Sequence, residues 1–193
     1  MPNPIPDFDL NLVLPPHLGN PTVHGQLSPY PCTTVDLCQR FGTTPERRAI
    51  LGGFLDFRKR LQEEGLTTGF QWLDGSFLED VERREGRSPR DLDVVTIYWG
   101  YDDAFLNRIG ANFPEFADPD LAHAAFLVHH FAYDGNLTRK GRPCVEAIID
   151  MTRYWALLFS HNRNRVWKGM LKVELDTPDL DRAARLELNQ PNL

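Results

Sequence analysis

The sequence predicts an α/β (α+β) protein, in which helices pack on one or both faces of a β-sheet. Segments with helical periodicity alternate along the chain with short segments rich in β-branched and aromatic residues, and Gly, Pro and Asp separate them. Hydrophobic residues make up 41% of the 193 positions, which is enough to build a substantial core. We therefore expect one domain at residues 32–193, preceded by a proline-rich extended arm at residues 1–31.

The arm is predicted from its prolines, because each removes a backbone donor and restricts the residue before it. Apolar residues alternate with polar ones over part of the run from Ile5 to Leu14. We therefore expect the arm to lie against the domain and to contain a short edge strand. The prolines of the arm are Pro2, Pro4, Pro6, Pro15, Pro16, Pro21, Pro29 and Pro31.

Two helices are predicted next from the signals at their ends. Thr33 or Thr34 is a suitable cap for a short helix that ends at Gly42. A longer helix begins with Pro45, which follows a threonine and precedes an acidic residue. Its apolar residues recur close to the 3.6-residue helical period until Gly65.

The remaining elements follow from apolar patterning and turn residues. Residues 70–73 and 92–99 read as strands, and the charged segment 80–90 between them reads as a solvated linker or a short helical turn followed by a loop. Residues 102–116 show only weak patterning. Further on, we predict a helix starting at Asp118-Pro119, a strand in the second half of 123–133, a helix over 143–160, a strand over 166–175 and a helix from Thr177-Pro178 through Leu186.

Composition excludes several classes of protein. The net charge of −6 argues against a broad surface for duplex DNA, which is usually basic. No apolar run approaches the roughly 18 residues of a membrane span, and the proline-rich start lacks the regions of a signal peptide. Cys32, Cys38 and Cys144 contain no C-x-x-C pair, so we expect reduced thiols and a cytoplasmic protein.

Candidate chemistry is concentrated in two short motifs. Gly75-Ser76 ends one predicted strand, and Asp91-Leu92-Asp93 opens the next, 15 positions after the serine. Side chains two apart on a strand share a face, so Asp91 and Asp93 can converge on one Mg²⁺, whose shell substrate phosphates and water complete. Each motif alone is common as an ordinary turn or an acidic pair. Their order at two strand boundaries favours a triphosphate site.

These motifs and their flanking strands resemble the signature of the nucleotidyltransferase superfamily, which has the DNA polymerase β-like fold. The resemblance implies a nucleotidyltransferase-like domain with a mixed β-sheet flanked by helices, which uses Mg²⁺ to transfer a nucleotidyl group from a nucleoside triphosphate. The acceptor, a protein, an RNA or a small molecule, is left open. More closely, the chain resembles an uncharacterised family of small bacterial proteins with that core, over residues 70–77, 90–96, 154–161 and 167–171.

One position departs from the superfamily pattern. Where the resemblance implies a third carboxylate on a later strand, this chain has His129, and Asp134 lies five residues beyond it. Histidine transfers protons near neutral pH but is a poor ligand for the hard Mg²⁺ ion. Two hypotheses follow: an enzyme with catalytic Asp91, Asp93 and His129, or a catalytically degenerate nucleotide-binding or regulatory module of defence or toxin–antitoxin type. A metal-dependent phosphohydrolase using the same carboxylates is a third.

Other polar residues offer weaker signals. Within residues 160–168, Arg163 and Lys168 are candidates for nucleotide binding, although cations also gather at ordinary helix ends to offset the macrodipole. A zinc site is conceivable, but the sequence lacks cysteine pairs and H-E-x-x-H. Its ligands would be His123, His129, His130 and His161.

Overall fold

A computed structural model describes residues 4–136 and 144–190, and over these it contains a five-stranded mixed β-sheet with helices on both faces. Strand β2 runs antiparallel to β3 and β5, whereas β3 is parallel to β4 and β1 is parallel to β5. The predicted mixed sheet flanked by helices is confirmed. In spatial order β1-β5-β2-β3-β4, the strands are β1 (Tyr30–Pro31), β5 (Leu171–Glu174), β2 (Gly69–Asp74), β3 (Leu92–Tyr98) and β4 (Val128–Asp134).

The helix ends follow the capping signals of the sequence. Thr33 and the acid three residues later form a capping box for the first helix, and Thr44 caps the second, with Pro45 in its first turn. Gly65 ends the second helix with a φ of 83°, a left-handed conformation that glycine adopts without strain. The helices are α1 (Thr34–Phe41), α2 (Pro45–Glu64), α3 (Val81–Glu85), α4 (Asp103–Asn112), α5 (Pro119–Phe126), α6 (Cys144–Phe159) and α7 (Pro178–Leu188).

Two segments differ from their sequence predictions. The weakly patterned stretch contains α4, whose residue Ile109 is buried and packs in a cluster with Phe57 and Phe113. This contact fixes the helix although its own pattern is weak. The strand predicted over 166–175 is formed only by β5, because residues 161–167 close a turn in which Asn162 N–H donates to Val166 and a bridge joins His161 to Trp167.

The two faces of the sheet bury different sets of residues. On one face Leu92 and Val94 pack in a core cluster with residues of α1, α2 and α7. On the other face Val95 and Ile97 pack with Trp155 of α6. Because successive strand residues alternate between faces, Asp93 lies on the α6 side of the sheet.

Residues 4–31 pack against the rest of the described chain and supply an edge strand. Val13 and Leu14 are fully buried, and Leu14 belongs to the core cluster on the α2 face. The edge strand is β1, at the end of the arm; the alternating run Ile5–Leu14 contributes only an isolated bridge between Val13 and Glu79. The arm therefore reaches both the central sheet and the loop after β2.

Some sequence predictions fall on residues outside the described ranges. These are the residues 1–3 of the arm, the start of the sixth helix at Pro143, the thiol of Cys144 and residues 191–193 of the domain. Cys32 and Cys38 are free, and burial raises the pKa of both thiols to about 12, so neither is a nucleophile at neutral pH. Within the described ranges, no helix is both long and apolar enough to cross a membrane.

Candidate functional site

A cavity of about 740 Å³ lies where the end of β2 meets the beginnings of β3 and β4. The C-terminal end of α6 and the turn after it form its other wall, through residues such as Phe159 and Asn162. Residues from distant parts of the chain therefore share one site. All the site residues predicted from sequence line this cavity: Gly75, Ser76, Asp91, Asp93, His129, Arg163 and Lys168.

Strand register places three polar side chains in one row across the sheet. Asp74 pairs directly with Asp93 on the antiparallel neighbour, and Asp93 pairs with His129 on the parallel neighbour. Directly paired residues point to the same face, and adjacent strands lie about 4.8 Å apart. Asp93 is thus flanked by a carboxylate on one side and an imidazole on the other.

Asp93 divides its two carboxylate oxygens between two partners. Its Oδ1 lies 3.2 Å from His129 Nδ1. Its Oδ2 lies against Gly75, where a Cβ would come within 2.2 Å of it. The pKa of Asp93 is raised, mainly by burial and then by the neighbouring Asp91, while His129 and Lys168 act against this rise. A carboxylate in this position favours the arrival of a cation.

Asp91 stands beside Asp93 just before β3. Its Oδ2 lies 3.6 Å from His123 Nε2 on α5, and its side chain is 30% exposed, the same fraction as that of Asp93. The described residues contain no group of three or more His, Cys, Asp or Glu side chains able to hold a metal by themselves. Mg²⁺ needs only one or two protein carboxylates when substrate phosphates complete its shell. Asp91 and Asp93 fit that requirement.

The histidines of the zinc hypothesis do not gather at one point in the described part of the chain. His130 is fully buried on the opposite face of the sheet from its neighbour His129, and its Nε2 lies 2.8 Å from Thr96 Oγ1. Its ring packs against Phe57 and Phe116. His130 is therefore a core residue.

Lys168 reaches the cavity wall, but its ammonium group faces the interior. Nζ lies 2.9 Å from Asp74 Oδ1, 2.9 Å from Glu79 Oε1 and 3.0 Å from the carbonyl oxygen of Gly75. The residue is 1% exposed. The sequence suggested that Lys168 contacts the nucleotide; instead it lies beneath the Gly75-Ser76 loop, because two carboxylates from the same loop region neutralise it there.

Arg163 lies in the turn after α6 and is exposed at the cavity. The side chain of Asn162 accepts hydrogen bonds from the backbone N–H groups of Asn164 and Val166, which fixes the shape of this turn. Arg163 is therefore held on an ordered loop at the cavity wall.

Sequence reasoning missed several residues of the cavity. Asp74 directly precedes the Gly-Ser motif, and this position could have identified it as a site residue. In contrast, no local signal indicates that Glu79 is buried. The charged segment 80–90 was interpreted as a solvated linker or a helical turn with a loop. It does contain the short helix α3, but it also lines the cavity with Arg84, Arg87 and Arg90.

Asp134 does not belong to this site. It pairs with Tyr98 at the far end of β4, whereas His129 pairs with Asp93. Five residues of strand separate the two positions by about 16 Å. The polar residue of β4 that lies beside Asp93 is therefore His129.

Comparison with protein families gives one match. A family described as "Family of unknown function (DUF6932)" matches residues 6–174, which include all seven predicted site residues. Searches among curated proteins and among solved structures gave no match.

Proposed function

The chain belongs to the DUF6932 family of unknown function, and from its site we propose a Mg²⁺-dependent nucleotidyltransferase of the cytoplasm. It would transfer a nucleotidyl group from a nucleoside triphosphate to the hydroxyl group of an acceptor. The observation that carries this proposal is the position of Asp93 in the cavity. One of its oxygens lies 3.2 Å from His129 Nδ1, and the other lies against Gly75.

The charged residues that line the cavity favour a substrate that contains both a cation and an anion. Lys168 is paired with Asp74 and Glu79, and Arg84 and Arg87 are paired with Glu85. Among the described residues, the carboxylates Asp91 and Asp93 then form ion pairs only with histidines, and Arg90 and Arg163, which also line the cavity, have no carboxylate within 4.0 Å. The complex of Mg²⁺ with a triphosphate presents positive charge to the former pair and negative charge to the latter.

His129 supplies the proton acceptor of the proposed reaction. If His129 Nδ1–H donates to Asp93, its Nε2 carries a lone pair and the ring is held in one orientation. The acceptor hydroxyl then gives its proton to Nε2 while its oxygen forms a bond to the α-phosphorus. The bond from that phosphorus to the bridging oxygen breaks, and pyrophosphate leaves. Bound Mg²⁺ would offset the negative charge that develops on the phosphates.

The test begins with binding. Isothermal titration with each of the four nucleoside triphosphates, with and without Mg²⁺, should show Mg²⁺-dependent binding by the wild-type protein. Asp91→Asn and Asp93→Asn should lose about tenfold or more in affinity, as expected when a charged contact is removed. Asp120→Asn is the matched control, since this exposed aspartate lies in the first turn of α5. Absence of binding by the wild-type protein would sink the proposal.

A turnover assay distinguishes an enzyme from the alternative, a regulatory module that binds nucleotide without catalysis. Pyrophosphate release from the wild-type protein should fall by about 10² to 10⁴ in His129→Gln, since general bases contribute rate factors of that size. Nucleotide affinity should change little. Binding without turnover and without a Mg²⁺ requirement would instead support the regulatory module, which the histidine at the third acidic position favours. Release of free nucleotide without any acceptor would indicate a phosphohydrolase.

A further inference from the structure

We propose that Lys168 is a positioning residue that turns the backbone N–H of Ser76 toward a substrate phosphate. It acts by holding the carbonyl oxygen of Gly75 from beneath the loop. The inference rests on the proposed function, because it requires that the cavity binds a triphosphate.

The ammonium group of Lys168 makes its polar contacts inside the protein. It donates to Glu79 and to the carbonyl oxygen of Gly75, and Asp74 is its ion-pair partner at 2.9 Å. With the residue 1% exposed, its ammonium group is shielded from a ligand in the cavity. An effect of Lys168 on phosphate binding must therefore pass through one of these three partners.

The Gly75 carbonyl is the partner that carries such an effect. A trans peptide unit is planar, and its C=O and N–H point in opposite directions. The Gly75 oxygen points toward Lys168 and also accepts a hydrogen bond from Leu78 N–H at 3.2 Å. The N–H of Ser76, in the same peptide unit, therefore points away from Lys168.

Both residues of this peptide unit, Gly75 and Ser76, line the cavity. Ser76 lines the cavity beside Asp93, and among the described residues its N–H has no hydrogen-bond acceptor. Ser76 thus offers one oriented and unused donor next to the two carboxylates proposed to hold Mg²⁺, where the phosphates of the substrate would lie.

Neighbouring segments hold both the Gly75-Ser76 loop and the chain around Lys168. The lysine therefore keeps a fixed position relative to the loop. Glu79 is bound by Arg84 as well as by Lys168. The arm pairs with Glu79 through Val13, and Gly169 N–H donates to the Leu14 carbonyl at 2.8 Å. Because its neighbours on both chain segments are held, Lys168 keeps the Gly75 carbonyl in one direction.

The experiment uses two variants and a control. Lys168→Met removes the donor, and Lys168→Arg keeps the charge that Asp74 and Glu79 need while changing the shape beneath the loop. Lys172→Met is the control, because Lys172 lies on β5, pairs with Glu174 of the same strand and is outside the cavity lining. Circular dichroism checks that each variant is folded.

Two readouts are measured on the full chain. In ¹H–¹⁵N spectra without ligand, the Ser76 amide signal should move in Lys168→Met and Lys168→Arg and stay in place in Lys172→Met. Titration with Mg²⁺ and tripolyphosphate, which has no base or sugar, should move the Ser76 amide signal in the wild-type protein. The affinity for Mg²⁺–tripolyphosphate should fall about tenfold in Lys168→Met, the size expected for one hydrogen bond to a charged group.

The outcomes distinguish this inference from the proposed function. Wild-type binding of nucleotide together with unchanged affinity and an unmoved Ser76 signal in a folded Lys168 variant would overturn the role of Lys168 alone. If Lys168→Met does not fold, the same comparison in Lys168→Arg decides. If the wild-type protein binds neither nucleotide nor tripolyphosphate, both the proposed function and the inference are wrong.

Discussion

At the scale of single residues, Asp93 gains its place in the site from a neighbour that has no side chain. Gly75 has a φ of 86° and a ψ of −173°, a backbone conformation that essentially only glycine adopts. A Cβ at this position would also lie 2.2 Å from Asp93 Oδ2. Glycine is therefore required twice, once for the turn after β2 and once for the close approach of the carboxylate.

Gly75→Ala should consequently impair both folding and binding. We expect a loss of about 1–3 kcal/mol in the free energy of unfolding from the backbone conformation alone, and a loss of Mg²⁺–nucleotide affinity because Asp93 must move. Urea denaturation and isothermal titration measure the two effects. Gly86→Ala is the matched control: its φ is 66°, but a Cβ there meets nothing within 4 Å. Equal nucleotide affinities for the two variants would contradict this explanation.

At the residue scale, the sequence predicted residues that line the cavity, but it did not predict that Lys168 is buried beneath the Gly75-Ser76 loop. The two motifs were visible because Gly-Ser and D-x-D are local patterns at strand boundaries. The role of Lys168 was not, since its contact with Gly75 joins positions 93 residues apart. Charge alone could not show whether Lys168 faces a ligand or two carboxylates of its own protein.

At the scale of elements, the arm braces the loop regions that form the site. Asp80 N–H donates to the Leu12 carbonyl, and Gly169 N–H donates to the Leu14 carbonyl. Gly169 lies so close to the arm that a Cβ would come within 2.4 Å of the Pro15 oxygen. The arm thus joins the segment after β2 to the segment before β5.

Shortening a buried side chain of the arm should therefore affect the distant cavity. Leu14→Ala removes a side chain that is 0% exposed, and such changes cost about 2–5 kcal/mol in the free energy of unfolding. Nucleotide affinity should fall as well, because the loss of the packed side chain lets the Leu14 backbone shift, and its carbonyl accepts the hydrogen bond from Gly169 N–H, next to Lys168. Leu10→Ala is the control, since Leu10 is fully exposed. If Leu14→Ala is destabilised yet binds nucleotide like the wild-type protein, the arm is only part of the core.

Element boundaries were predictable where the chain carries its own signals. The cap at Thr44 and the left-handed Gly65 fixed both ends of α2. Helix α4 was not predictable in the same way, because Ile109 is its one buried residue and the partners of that residue come from other elements. The alternation before β5 was misleading, since a tight turn closed by Asn162 uses those residues instead.

At the scale of the whole molecule, the sheet topology creates the site. The order β5-β2-β3-β4 places β3 between an antiparallel and a parallel neighbour, so the end of β2 meets the starts of β3 and β4. A sheet flanked by helices was predictable from the alternation of elements, and its mixed character from the resemblance to the nucleotidyltransferase superfamily. The register that aligns Asp74, Asp93 and His129 was not, because it depends on packing across the whole sheet.

The dependence of global stability on pH should contain a clear contribution from His130. Burial lowers the pKa of its imidazole from 6.5 to about 3. Between these values the unfolded chain binds a proton that the folded protein does not, so stability falls as pH decreases through this window, by up to about 1.4 kcal/mol per pH unit. Asp74 acts in the opposite direction, since burial raises its pKa from 3.8 to about 7 and its contribution is lost as pH rises.

A comparison of variants isolates the histidine from this opposing carboxyl. His130→Asn should be less stable than the wild-type protein at pH 7, because it loses the ring packed between Phe57 and Phe116. The difference in free energy of unfolding between the two proteins should shrink as pH falls from 6.5 to 4.5. Only the wild-type protein loses stability in this range, because its unfolded chain binds a proton at His130 that the folded protein does not bind. Urea denaturation at a series of pH values measures it, with His161→Asn, an exposed histidine, as control. A difference that stays constant over this range would show that folding does not lower the pKa of His130.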